Sequence, residues 1–289
     1  MSSISIENWQ FGFSSTKEIL TESAIEQSIN TLKQWAGCFP KENSWVEKNY
    51  GIPSLIVRLD CTANGSVSIY EIEERPSGIG IACRLNPDFE PKLRLLKNKW
   101  PDFKSLVSPK RVACDDNLWL DSISLEESLK EEGLLLIRAE PEEVEYISLQ
   151  NRSISSLENK GDKSYGVKMG LWKTVSLDDF DSLPWTEGFC LKPIKGSKCR
   201  GIHIWNPKLK KTGGLSSKSQ MRRALEEYKT MYLQEYIPPI EENGLFKIFR
   251  IFFGYDPDIK EYVYLGGLSN ARPNLRIHGA TDMVAGVIN

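Results

Sequence analysis

Histidine is scarce in this sequence, with two in 289 residues. The six cysteines, at 38, 61, 83, 114, 190 and 199, are scattered, and no two form a CxxC pair. Zinc sites draw on those residue types at close spacing, so no zinc centre is expected. The cysteines read instead as reduced thiols of a cytoplasmic protein. No Ser-His-Asp or Cys-His arrangement offers a nucleophilic centre, and no GxxxxGK[ST] run offers a P-loop. No apolar run approaches the roughly 20 residues of a membrane span. The opening MSSISIENWQ lacks a basic region followed by an apolar stretch, so no signal peptide is expected. An excess of one charge is lacking too: the formal net charge of −2 argues against a general nucleic-acid or acidic-membrane binder. Internal repeats and low-complexity tracts are absent. The remainder is ordinary globular composition, 40% apolar and 26% charged, in a length that suits one large or two modest domains.

The most informative stretch is EGFCLKPIKGSKCRGIHIW, Glu187 to Trp205. Phe189 to Leu191 and Ile202 to Ile204 read as two short strands. Between them lie Lys192, Lys195, Gly196, Ser197, Lys198, Arg200 and Gly201. Glycine lets a backbone approach a ligand closely, and exposed N–H groups there bind anions. A lysine leaving the first strand adds a point charge within reach of a phosphate. The loop therefore suits a polyphosphate; the same composition also suits a basic, solvated hairpin turn. Upstream stand Gly161-Asp162-Lys163 and a second lysine, Lys168; downstream stands Gln234-Glu235-Tyr236-Ile237.

A second stretch gathers acids. Ser54 to Cys61 reads as a strand, Asn64-Gly65 as a hairpin turn, and Val67 to Ile72 as the partner strand. Such pairing brings Asp60 close to Glu71 and Glu73, which share a face because side chains alternate with period two. Arg58 lies on the face of Asp60. Carboxylates so crowded repel unless a cation sits between them, and oxygen ligands of this kind suit Mg²⁺. Exposed surface acids are the other reading.

Elsewhere the pattern gives packing rather than chemistry. Trp9, Phe11 and Phe13 alternate as a strand within residues 1–14. Thr21 or Ser23 caps a helix to about Trp35, with Ile25, Ile29, Leu32 and Trp35 as its stripe, and Gly37 and Pro40 end it. Asn86-Pro87 and the PDFEPK stretch read as a linker. Trp100, Phe103, Leu106 and Val107 belong to a packed element. Ser124 to Glu132 reads as a capped helix, and Leu134 to Arg138 and Val144 to Ser148 as strands. Tyr165 to Thr174 reads as helix passing into strand. Ser216 or Ser217 caps a helix running through Tyr232. Phe246 to Gly254 and Tyr262 to Leu265 read as paired strands. The tail GGLSNARPNLRIHGATD shows no periodicity and is a candidate substrate cover.

The order of these motifs resembles the ATP-grasp superfamily. There a DK-type lysine comes first, a VKP-type lysine with a Gly/Ser-rich loop follows, and a QEYI-type hinge grips adenine; LKP, GSKCRG and QEYI carry the likeness here. RLD, an acidic ExE pair and a PxG turn look like that family's metal-binding end, which normally comes last. The resemblance therefore implies a circularly permuted ATP-grasp fold of α/β (α+β) class, its order similar to glutathione and glutathionylspermidine synthetases. Residues 1–84 would be the permuted half with the metal-binding hairpin, 85–155 a small α/β substrate-side domain, and 156–289 the nucleotide-binding half. It implies Mg²⁺ on Asp60, Glu71 and Glu73, and ATP phosphates on Lys163, with Lys168 as substitute, and on Lys192 and the loop Lys195, Gly196, Ser197, Arg200 and Gly201. Adenine would lie at Gln234, Glu235, Tyr236 and Ile237, and ribose at Glu241 or Glu242. Arg58, Arg250 and Arg272 would meet the transferred phosphoryl group or a substrate carboxylate; Arg276 and His278 are weaker candidates. The implied activity is carboxylate–amine ligation on small-molecule or peptide substrates. A kinase of a small-molecule hydroxyl and a non-catalytic nucleotide or nucleic-acid binding module are the alternatives. Any metal–nucleotide bridge requires the hairpin and the loop to lie within about 15 Å, the reach of a few extended residues.

Overall fold

The computed structural model describes residues 12–39, 45–64, 66–74, 76, 78–100, 105–109, 135–139, 163–195, 199–209, 213–277 and 283–289. Calls on Trp9, Phe11, Pro40, Gly65, Phe103, Ser124 to Glu132, Val144 to Ser148, Gly196, Ser197, Lys198 and His278 lie outside them.

In chain order the elements are β1 (Gly12–Glu18), α1 (Glu22–Cys38), α2 (Trp45–Tyr50), β2 (Ile56–Asn64), β3 (Ser66–Glu73), α3 (Ile79–Leu85), α4 (Phe89–Asn98), β4 (Ser105–Pro109) and β5 (Leu135–Ala139). Then follow α5 (Ser164–Lys168), β6 (Lys173–Ser176), a 3-10 helix (Leu177–Ser182), β7 (Phe189–Pro193), β8 (His203–Trp205), α6 (Lys218–Tyr228) and β9 (Thr230–Glu235). The chain ends with β10 (Ile240–Glu242), β11 (Leu245–Asp256), β12 (Glu261–Arg272) and β13 (Val284–Ile288). They form a mixed α/β protein with two main sheets. The larger has the order β1-β13-β12-β11-β2-β3, with β10 also paired to β11. The smaller is antiparallel in the order β6-β9-β7-β8. β4 and β5 form a separate parallel pair.

The larger sheet draws its strands from both ends of the chain. β1 lies parallel to β13, and β2 lies antiparallel to β11. Its long strands are rich in aromatic and β-branched residues, and Trp35, Phe89, Trp100, Phe252 and Phe253 are fully buried among them and their covering helices. The smaller sheet has its own core, where Met221 and Leu225 of α6 meet Phe189, Leu191 and Met231.

Several sequence expectations need correction. Among the described residues the first strand is Gly12–Glu18, which holds Phe13 and runs on beyond residue 14. α1 starts at the Thr21 cap but continues through Gly37 to Cys38, because tertiary packing of Trp35 outweighs the modest helix penalty of one glycine. The PDFEPK linker is helix α4, whose Phe89, Leu93 and Leu96 are buried. α6 stops at Tyr228, where Lys229 turns to φ 63°, and Tyr232 belongs to strand β9. The aperiodic tail begins as regular strand, since Gly266 to Arg272 complete β12.

The two sheets meet along β3, the edge strand of the larger one. Edge strands leave backbone groups that need partners, and here side chains supply them. Gln27 bonds both Val67 N (2.9 Å) and Val67 O (3.3 Å). Gln234 Nε2 donates to Ile69 O at 2.9 Å, and Lys192 Nζ donates to Tyr70 O at 2.6 Å. The Tyr165 hydroxyl donates to Ile72 O at 3.0 Å and accepts from Ile72 N at 2.7 Å. Tyr165 continues into an aromatic column, with Trp172 at 5.2 Å and Tyr232 stacked on Trp172 at 5.7 Å. Gly166 makes that column possible: a Cβ there would sit 2.1 Å from the ring of Trp172, which is buried. Gly166→Ala is therefore expected to destabilise the protein by roughly 1–3 kcal/mol, as overpacking does, despite alanine's better helix propensity. Urea unfolding beside the parent checks this; unchanged or higher stability would contradict it.

Candidate active site

The cleft between the sheets is built by alternation. On β2, Arg58 and Asp60 share one face; on β3, Glu71 and Glu73 do; on β11, Ile248 and Arg250 do, and all six line the cleft. Register completes the grouping, because Asp60 lies opposite Glu71 and Arg58 opposite Glu73, while Arg250 lies opposite Asp60 on the other side. The smaller sheet presents Cys190 and Lys192 of β7 and Gln234 of β9, with Cys190 opposite Gln234 in register. Lys163 approaches from just before α5. Ile202, Ile204, Pro239, Leu275 and Ile277 add apolar wall. With its open mouth and the solvent space there included, the cleft encloses about 1050 Å³.

Its polar floor is an ion-pair network. Arg58 Nε meets Asp60 Oδ1 at 2.6 Å, and Arg58 Nη2 meets Asp60 Oδ2 at 3.1 Å and Glu73 at 3.8 Å. Arg250 Nε lies 3.7 Å from the far oxygen of Asp60. With the Asn270 amide turned so that its oxygen faces the guanidinium, it accepts from Arg250 Nε and Nη1 at 3.0 Å. Lys163 Nζ meets Glu71 Oε1 at 2.7 Å. Lys192 spends its charge differently, on the Tyr70 carbonyl and over the Trp172 ring at 5.1 Å. This floor thus sets Arg58, Lys163, Lys192 and Arg250 against Asp60, Glu71 and Glu73, a standing preference for an anion.

The proton equilibria follow. Burial opposes the charges on Arg58 and Lys163, but Asp60 and Glu73 in one case and Glu71 in the other overcome it and raise both pKa values. Burial also works against the Glu71 carboxylate, and Lys163 and Lys192 overcome it, holding its pKa low. For Lys192 burial wins: its pKa is lowered, with Lys163 adding repulsion against the pull of Glu71. Arg250 is lowered by burial and by Arg58. Burial pushes the Cys190 thiol up to about 11 and raises Cys199, which argues against a thiolate nucleophile in the cleft.

Many sequence-predicted residues therefore gather in one place: Arg58, Asp60, Glu71, Glu73, Lys163, Lys192, Arg200, Gln234, Glu235, Tyr236, Ile237 and Arg250 all line the cleft, with Arg276 among them. The hairpin and the β7 lysine are in contact, inside the reach limit. Others stand elsewhere. Lys168 is exposed and donates to Cys38 O at 3.2 Å. Glu242 is exposed and pairs with Lys247 at 2.7 Å. Arg272 Nη1 donates to Arg276 O at 2.8 Å. Lys195 is exposed and off the cleft wall. Gly201, at φ 70°, is off the cleft wall, and a Cβ there would come within 2.6 Å of the Tyr228 hydroxyl. Sequence reading missed Tyr70, Cys190 and the isoleucine wall. Their only signal was strand alternation, which does not tell a cleft face from a core face.

Among the described residues no three His, Cys, Asp or Glu side chains converge as a preformed metal cage. The donor chemistry still suits Mg²⁺, which is bound by one or two carboxylates plus substrate phosphates rather than by all-protein cages. Among the same residues, no helix is long and apolar enough to cross a membrane.

No protein family and no curated protein is matched by the chain. Solved structures are similar at low identity. A protein described as a gamma-glutamylcysteine synthetase from Methylobacillus flagellatus KT gives a TM-score of 0.47 at 11% identity, over 91% of this chain and 85% of that one. A glutathione synthetase-like effector from Globodera pallida, in its apo form, gives 0.46 at 10% identity, over 96% and 89%.

Proposed function

We propose that the chain is an ATP-dependent carboxylate–amine ligase with a circularly permuted ATP-grasp architecture, Mg-ATP lying between its two sheets. Residues 1–84 would be the metal-binding half, 85–155 the substrate-side domain and 156–289 the nucleotide-binding half. The observation that carries the reading is the convergence of Lys163 and Lys192 with Arg58, Asp60, Glu71, Glu73 and Arg250 in one cleft. A surplus of buried positive charge beside oxygen donors is what binding a polyphosphate requires.

In this reading Lys192 leaves the Tyr70 carbonyl for an α- or β-phosphate oxygen, and Lys163 supports the same oxygens from beside Glu71. Glu71, Glu73 and Asp60 are the groups that would hold Mg²⁺, which supplies charge neutralisation across the β- and γ-phosphates. Arg58 and Arg250 face the γ-phosphate, where the transition state spreads negative charge over the transferred group. A substrate carboxylate oxygen bonds to the γ-phosphorus as the bond to ADP breaks. The amine then bonds to the acyl carbon, and phosphate leaves. Gln234 to Ile237 would present backbone groups to the adenine edge.

Titration calorimetry with ATP tests this on the parent and on the Asp60→Asn/Glu71→Gln double variant, each with and without Mg²⁺. Binding by the parent that strengthens with Mg²⁺, and loses that dependence in the double variant, is expected, followed by amine-dependent ADP release in a screen of amino acids and peptides. A folded parent that does not bind ATP would end this reading.

A further inference from the structure

β3 carries an irregularity at the point where its acids reach the cleft. Asp60 pairs with Glu71 but Cys61 pairs with Ile69, which leaves Tyr70 as an extra residue. A bulge of this kind interrupts the ladder and bends the strand. Glu71 and Glu73 follow it, both on the cleft wall, and among the described residues no further strand pairs with β3 on its outer side. Movement of the backbone there would carry both carboxylates with it. Tyr165 holds it in place. Its hydroxyl donates to Ile72 O at 3.0 Å and accepts from Ile72 N at 2.7 Å, the kind of bonds a further strand would make. Ile72 is buried and stands between Glu71 and Glu73 in the chain. The Tyr165 ring is buried too, with Trp172 at 5.2 Å, Phe39 at 6.3 Å and Trp35 at 6.5 Å. The same turn of chain reaches the acids a second way, because Lys163 meets Glu71 Oε1 at 2.7 Å. Val67, on the same strand, offers a comparison. Gln27 bonds its N at 2.9 Å and its O at 3.3 Å, and Val67 is not on the cleft wall.

We propose that Tyr165 is a positioning residue for Mg²⁺: through Ile72 it fixes the Glu71 and Glu73 carboxylates relative to each other and to Lys163. It touches neither metal nor nucleotide. Groups that orient a metal's ligands govern metal affinity alongside the ligands themselves. A side-chain clamp suits this edge because a further strand would take the place of Gln234 and Lys192, which bond Ile69 O and Tyr70 O. This inference rests on the ligase reading, and within it on the assignment of Mg²⁺ to the hairpin acids.

The test measures ATP affinity of the full chain by calorimetry, with and without Mg²⁺, in the parent, Tyr165→Phe and Gln27→Ala. The readout is the gain in affinity that Mg²⁺ confers. Tyr165→Phe should cut that gain about tenfold, the low end for a residue that orients metal ligands, with Mg²⁺-free affinity little changed. Gln27→Ala loosens the same strand away from the acids and should leave the gain as in the parent. A gain unchanged in Tyr165→Phe, or cut equally in Gln27→Ala, overturns the proposal. Amide exchange on the parent decides the matter should Tyr165→Phe not fold: Mg²⁺ with ATP should slow exchange at Ile72 more than ATP alone does, with no such difference at Val67. Equal protection at Ile72 under both conditions overturns the proposal. ATP binding by the parent with no Mg²⁺ gain sinks this inference and the metal assignment alone. Absence of ATP binding sinks the ligase reading, and this inference with it.

Discussion

Lys163→Met should cost the protein about 3–5 kcal/mol of stability, the usual penalty for removing one partner of a buried ion pair. Lys163 is buried and its ammonium lies 2.7 Å from Glu71, whose side chain is 24% exposed. Removal leaves the Glu71 carboxylate low in the cleft without that cation. The double variant Lys163→Met/Glu71→Gln should recover most of the loss, since replacing both members of such a pair is often near neutral. Urea unfolding of the parent, both single variants and the double gives the coupling directly. A double variant as unstable as the sum of the singles would show that the pair contributes nothing as a pair.

The same pair sets a pH dependence. The folded-state pKa of Glu71 is lowered, so its contribution is present above the unfolded value of about 4.3 and is lost as pH falls through the lower folded value. The folded-state pKa of Lys163 is raised, so its contribution is full below the unfolded value of about 10.4 and fades as pH rises through the folded one. Stability of the parent should therefore drop at both extremes more steeply than that of the double variant.

How much of this was legible in the sequence depended on range. The β2–β3 pairing was readable because period-two alternation and an Asn-Gly turn act locally, and Asp60 does lie close to the strand of Glu71 and Glu73; that it stands opposite Glu71 depends on a register shift between Asp60 and Cys61, which neither signal encodes. Lys192 and Gln234 were readable as parts of local motifs; that both reach the edge of β3 was not, because nothing local encodes a contact spanning more than a hundred residues. The parallel pairing of β1 with β13 was hidden for the same reason. The end of β12 looked like loop because it is made of small residues. Gly267 is small because a Cβ there would come within 2.8 Å of the Arg250 carbonyl, and Gly266 sits at φ 135° beside the irregularity opposite Phe252 and Phe253. Those residues are chosen by what lies across the sheet, and hydrophobic periodicity does not report it. α6 was overextended because Tyr232 continues the helical spacing, whereas the ring belongs to the Trp172 stack.

Lys192→Ala should weaken ATP binding about 10- to 100-fold, the equivalent of one charged hydrogen bond of roughly 1.5–3 kcal/mol. The more discriminating result concerns protons. In the protein alone, burial and the nearby Lys163 hold the Lys192 pKa below its ordinary value, and the Tyr70 carbonyl is a neutral partner. A phosphate arriving beside it favours the ammonium and raises that pKa again. ATP binding by the parent should then take up protons at alkaline pH, and affinity should fall as pH rises through the pKa of the free protein. Calorimetry in two buffers of different ionisation enthalpy measures the uptake. Lys192→Arg should retain much of the affinity but lose the uptake, because a guanidinium stays protonated throughout. Uptake that persists unchanged in Lys192→Arg would assign the proton to another group and remove Lys192 from the phosphate contact.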